Sequence, residues 1–178
     1  MSISDETFWT YWSIYMGTIF LIWIFKKDEG DKEFGDKQIK KCQSQFKLNT
    51  SKAAYIKAVV YWCVQNLGYP KGNKKIPGIV VRYVKQDKYL GLYCSASKDI
   101  IIYVKAHENL LQLTNTVIHE YDHFLRIRNM KDQKNYNKVL DEIGYDKHPL
   151  EIYARETADK YELSCFKEMA ERGLLFRK

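Results

Sequence analysis

The first pattern along the chain is a stretch with no charge. Residues 8–25 (FWTYWSIYMGTIFLIWIF) are uncharged and mostly apolar. As a helix the run would be about 27 Å long, near the minimum for crossing a bilayer. Trp9, Tyr11 and Trp12 gather at one end and Trp23 and Phe25 at the other, as interfacial aromatics do. The pattern predicts a single membrane-spanning helix within 1–25, in contact with lipid through 8–25. A signal peptide fits poorly, because no Lys or Arg precedes the run and no small-residue cleavage site follows it.

Beyond this run the polarity changes. Residues 26–48 begin with a polar stretch of mixed charge and read as a juxtamembrane linker. A domain is expected over 49–178. Tyr55, Val59, Cys63 and Leu67 recur every fourth residue, which predicts a helix over 51–67 capped by Thr50 or Ser51. The Gly- and Pro-bearing stretch 68–78 reads as a loop. Three strand-like runs follow at 79–84, 89–95 and 99–104, separated by QDK and ASK, short enough for hairpin turns. A helix is predicted over 108–128. Residues 129–147 are polar, with a short helical stretch near 137–143. A last helix is expected over 149–172, opened by Pro149 and closed by Gly173. This order predicts an α+β domain, with helices packed on a small three-stranded antiparallel sheet.

Composition and charge refine this picture. The chain has 178 residues, about one domain's worth, with 46% hydrophobic residues, which excludes disorder. Net charge is +7, from 29 Lys and Arg against 22 Asp and Glu. Residues 1–25 hold only Asp5 and Glu6, so the charge of the remainder is +9. The lysines following residue 25 place the larger part on the cytoplasmic side of a membrane, or inside a virion, by the positive-inside rule. The four cysteines form no CxxC and are expected as thiols in a reducing compartment. The basic residues are spread out and no nucleic-acid motif accompanies them, so nucleic acid is not the expected partner.

The candidate chemistry lies at 119–123, His-Glu-Tyr-Asp-His. Two histidines at i and i+4 on a helix project side by side and can bind one zinc ion. Glu120 between them can take a proton from zinc-bound water and deliver it to a leaving amine. On a helical projection, Leu110, Leu113, Thr114, Val117, Ile118, Tyr121, Phe124 and Leu125 share an apolar face. His119 and His123 fall on the opposite side, with Glu120 at the edge. A catalytic zinc usually takes three protein ligands. For the third, the segment 148–162 offers Glu151, His148 and Glu156. Glu151 stands at the rim of that helix's apolar stripe, whereas Glu156 pairs at i+4 with Lys160 on the surface.

The strand DIIIYV followed by an HExxH helix resembles the zincin-like metallopeptidases, and a glutamate on the next helix resembles their gluzincin branch. HEYDHFL followed by HPLEIYA is more closely similar to minimal peptidases of phages and mobile elements, with their HEYxH and P-x-E-x-x-A helices. The resemblance covers roughly 50–165. It implies His119, His123 and Glu151 as zinc ligands and Glu120 as general base. It also implies that strand 99–104 binds an extended peptide or protein substrate by strand addition. It leaves the group behind the ligands unassigned, since Arg155 occupies the position where thermolysin-like enzymes carry an aspartate. Tyr145, Tyr153 and His148 are candidates for the oxyanion-stabilising group. The resulting expectation is a membrane-anchored zinc peptidase. The alternative is a structural or interaction membrane protein, viral for example, that keeps the zinc site without activity.

Overall fold

The computed structural model describes residues 46–177 except Asn73, Gln86 and Asp87. In chain order the elements are β1 (Phe46–Leu48), α1 (Lys52–Leu67), β2 (Gly78–Arg82), β3 (Gly91–Cys94) and β4 (Asp99–Tyr103). They continue with α2 (Leu110–Arg126), α3 (Met130–Ile143), α4 (Pro149–Glu171) and β5 (Leu175–Arg177). The domain is α+β, with four helices, one three-stranded sheet and a two-stranded ribbon among the described residues. Phe46–Leu48, expected to belong to the linker, forms the ribbon with β5. The Phe46 ring stands edge-on to Phe166, with centroids 5.1 Å apart.

Two expectations need correction. The first is the membrane anchor. Among the described residues no helix is long and apolar enough to cross a membrane. The uncharged run at 8–25 lies outside the described residues. The single-pass architecture, its lipid contact and the cytoplasmic placement drawn from it are therefore not supported.

The second is the sheet. It is mixed rather than antiparallel, in the order β2-β4-β3, with β2 parallel and β3 antiparallel to β4. The hairpin expected between the second and third runs is present, with Lys98 N–H donating to the Cys94 carbonyl at 2.8 Å. The hairpin expected between the first and second is not. Tyr83 and Val84 leave the strand for solvent, and the chain crosses to the far edge before β3 begins at Gly91. The physical reason lies in β4 itself. Ile100 and Ile102 are fully buried, and a continuous apolar run belongs in a strand's central position. Strand 99–104 is thus paired on both sides and has no free edge for a peptide. The edge nearer the helices' cleft belongs to β3.

Helix α2 is the centre of the domain. It packs on α1, on the sheet and most extensively on α4. Val117, Ile118 and Tyr121 meet no solvent, nor do Tyr55, Ile56, Val59 and Val60 of α1. Two tyrosine hydroxyls inside this core are paired. The Tyr55 and Thr114 hydroxyls lie 2.6 Å apart, and the Tyr121 hydroxyl donates to the Gly68 carbonyl at 2.6 Å. From α4 the buried positions are Glu151, Ala154, Ala158, Cys165, Phe166 and Met169. The two alanines put no bulk between α2 and α4, and interhelical distance follows the side chains at the contact. Glu151 heads this stripe instead of standing at its rim.

Candidate metal centre

Asn109 caps α2 by accepting the Gln112 amide at 2.9 Å, and from there the helix runs without interruption to Arg126. That regularity puts His119 and His123 one turn apart, with Nε2 atoms 3.1 Å from one another. At the start of α4, His148 acts as N-cap through Nδ1, which accepts the Leu150 amide at 3.1 Å. Glu151 follows in the first turn. Its Oε2 lies 3.2 Å from His119 Nε2 and its Oε1 3.1 Å from His123 Nε2. One ligand atom from each of the three residues falls within 4.8 Å of the others.

These three residues could hold a metal ion, and the polar bookkeeping around them fits one. Two imidazole nitrogens stand 3.2 Å and 3.1 Å from the two oxygens of a nearly fully buried carboxylate. Glu151 Oε2 is enclosed and faces the His119 nitrogen at 3.2 Å. A buried carboxylate is costly unless protons or a cation satisfy its oxygens. Burial alone would lift the Glu151 carboxyl, but bonds to His119, His123 and Tyr136 outweigh it and hold it well below the ordinary range. Burial would depress the His123 imidazolium, yet Glu151, Glu120 and Asp122 more than offset this and raise it.

Glu120 is 7% exposed and stands beside these three residues, facing β3. Burial pushes its carboxyl above the ordinary range, while His123, His119 and the Tyr93 backbone amide draw it part of the way back. Gly91 makes this contact possible. A Cβ there would lie 2.8 Å from Glu120 Cγ and 2.9 Å from Thr116 Cγ2. The Tyr103 amide bonds the Leu90 carbonyl, so by antiparallel alternation Gly91 and Tyr93 turn their own backbone groups to the free edge.

The remaining sequence candidates separate. Glu156 is exposed and takes no part. Tyr153 is exposed under the Arg126 guanidinium, 4.8 Å from its ring centroid. Tyr145 does line the cleft and bonds Glu151. His148 supports the start of α4 instead of facing the cleft. Asp122, buried to 2% exposure, accepts from Arg126 Nε at 2.5 Å and from Thr157 Oγ1 at 3.1 Å, fastening α2 to α4 behind the site.

Two residues were not foreseen from sequence. Gly91 is one. The other is Tyr136 of α3, whose hydroxyl donates to Glu151 Oε1 at 2.5 Å. A signal for α3 existed. Asn129 is a capping residue, Gly144 a terminating one with φ +80°, and Gln133, Tyr136, Asn137 and Leu140 share one helical face. That face forms one wall of a cleft of about 800 Å³, whose opposite wall is Leu90–Leu92 and whose floor is the His119–Glu120–His123–Glu151 cluster.

No protein-family model, curated protein or solved structure matches this chain.

Proposed function

We propose that this protein is a zinc-dependent peptidase of zincin-like type. The observation that carries the reading is the convergence of His119, His123 and Glu151 at the floor of an open cleft, with the buried carboxylate of Glu120 beside them. Two histidines and one carboxylate are a donor set suited to catalytic zinc, with a coordination position left for the reaction. His119 and His123 would each give a neutral Nε2, and Glu151 its carboxylate. A bound zinc ion would supply Lewis acidity toward the scissile carbonyl and toward water.

The protein's own part is positioning and proton transfer. An extended peptide pairs with the outward backbone groups of Gly91 and the outward carbonyl of Tyr93 on β3, by strand addition. This lays its carbonyl over the cleft floor. Glu120, with its proton affinity raised by burial, accepts the proton of the attacking water and returns it to the leaving amine nitrogen. The Tyr93 amide fixes the Glu120 carboxylate under the edge where the peptide lies. Tyr145, on the same cleft wall as Tyr136, is the better placed of the tyrosines expected to meet developing negative charge.

The test is elemental analysis of the purified 178-residue chain together with hydrolysis of fluorescently labelled casein. About one zinc per chain is expected for the wild type, and a large loss for His123→Ala. Glu120→Gln should keep the metal and lose hydrolysis by on the order of 100-fold or more. A wild type that binds no zinc removes the whole reading. Zinc retained with no Glu120-dependent hydrolysis leaves a metal-binding protein without this activity.

A further inference from the structure

Helix α3 is unusual among the helices of this domain. None of its residues is buried, although α1, α2 and α4 each bury six or more. Its end at Met130 meets the hairpin, where the Ser95 hydroxyl lies 3.8 Å from the Met130 sulfur and Lys98 bonds the Arg128 carbonyl. Its other end terminates at Gly144. Between these ends Tyr136 supplies the contact with the metal centre. The hydroxyl reaches Glu151 Oε1, the ring lies 4.4 Å from the ring of His148, and it meets the His123 ring edge-on at 6.0 Å. Tyr136 thus touches one proposed ligand by hydrogen bond, a second by its ring, and the cap of the helix that carries the first. The same helix face carries Gln133, Asn137 and Leu140 into the cleft.

We propose that Tyr136 is a positioning residue that latches α3 to the metal centre, so that metal loading and docking of the cleft wall reinforce each other. The inference rests on the metal-site reading above. The hydroxyl restrains Glu151 in the rotamer that faces His119 and His123. A fixed Glu151 in turn gives α3 its central attachment. Linkage makes this reciprocal: if Tyr136 favours the metal-ready carboxylate, bound metal must favour docked α3 by the same factor. A helix with little buried surface is where such a small coupling becomes visible, because its local opening costs little. The cleft would then be fully walled only in the loaded protein, which keeps substrate binding and metal occupancy in step.

The experiment uses the full chain with zinc alone as the probe. Zinc affinity is measured by competition with a chromogenic chelator, and amide exchange over 130–143 is followed with and without zinc. In the wild type, zinc should slow exchange in α3. Tyr136→Phe should weaken zinc on the order of 10- to 100-fold, the usual effect of losing a partner of a metal ligand. It should also abolish the zinc-dependent protection of α3. Lys138→Ala, on the exposed side of α3 and paired with Glu142 at 3.8 Å, should change neither. Thermal melts establish that the variants are folded.

Wild-type α3 exchange that ignores zinc overturns the latch without reference to any variant. So does a Tyr136→Phe protein with wild-type zinc affinity and protection. A wild type that binds no zinc overturns the metal-site reading, and the latch with it. Zinc binding without hydrolysis overturns the peptidase reading and leaves the latch standing.

Discussion

Gly91 shows how a single missing side chain lets β3 approach Glu120. Its backbone lies so close to α2 that an added Cβ would come within 3.1 Å of Glu120 Oε1 and closer still to Glu120 Cγ. Neither Glu120 nor Thr116, whose Cγ2 would lie 2.9 Å from that Cβ, can move freely, since Glu120 is buried and Thr116 is tied by its hydroxyl to the Gln112 carbonyl at 3.0 Å. Gly91→Ala should therefore displace Glu120 while leaving His119, His123 and Glu151 in place. The expected cost is about 1–3 kcal/mol of stability from overpacking. A shift of about 1 Å at a reacting group can lower turnover on the order of 100-fold. Casein hydrolysis and zinc content, measured on one preparation, check this. Full hydrolysis in the variant would show that Glu120 has room to spare. From sequence this role was not legible, because a glycine at the start of a strand carries no sign of what faces it. The HExxH histidines were legible, because a helix places i and i+4 together whatever surrounds it.

Among the elements, the pairing of α2 with α4 makes the site, and it depends on small residues. Ala154 stands one turn after Glu151, wholly buried against α2. Ala154→Leu would insert three heavy atoms into the interhelical contact. We expect a loss of about 1–3 kcal/mol in urea unfolding. Weaker zinc binding should accompany it, because Glu151 moves with its helix. Wild-type zinc affinity in a clearly destabilised variant would mean that Glu151 is positioned by Tyr136 and His148 alone. Element spans were largely readable in the sequence, since capping residues and periodicity are local. The sheet order was not. Short connectors between three strand-like runs imply a meander, whereas the apolar run of β4 needed both of its edges covered. Ile100 and Ile102 carried that information, but it concerns competition between strands for the central place, which no connector length reveals. The same limit applied to Glu151. It reads as a rim position only if Leu150 and Tyr153 belong to the buried face, and both instead lie partly or largely exposed.

At the scale of the whole molecule, the core holds ionisable groups that must stay neutral, and this fixes how stability varies with alkaline pH. Cys63 and Cys165 are fully buried on the facing sides of α1 and α4. Burial pushes both thiols well above their ordinary range. Burial does the same to the phenols of Tyr55 and Tyr121, and it raises Tyr93 to about 12. For each group the folded-state pKa exceeds the unfolded one. Each therefore contributes stability that is complete below its unfolded pKa and is lost as pH rises toward the folded value. Unfolded thiols ionise near about pH 8.5 and phenols near about pH 10. Urea melts should give a nearly flat contribution from these groups up to about pH 8, then a decline that steepens beyond about pH 10. Cys165→Ala should flatten the first part of the decline, at the cost of its own packing. Tyr55→Phe should flatten the second part, and its Thr114 partner keeps a bond to the Leu110 carbonyl at 2.8 Å, so the change leaves that hydroxyl satisfied. Stability unchanged from pH 7 to pH 11 would contradict the burial of these groups. It would place Cys63, Cys165 and Tyr55 in contact with water, and with them the α1–α2–α4 core on which His119, His123 and Glu151 depend.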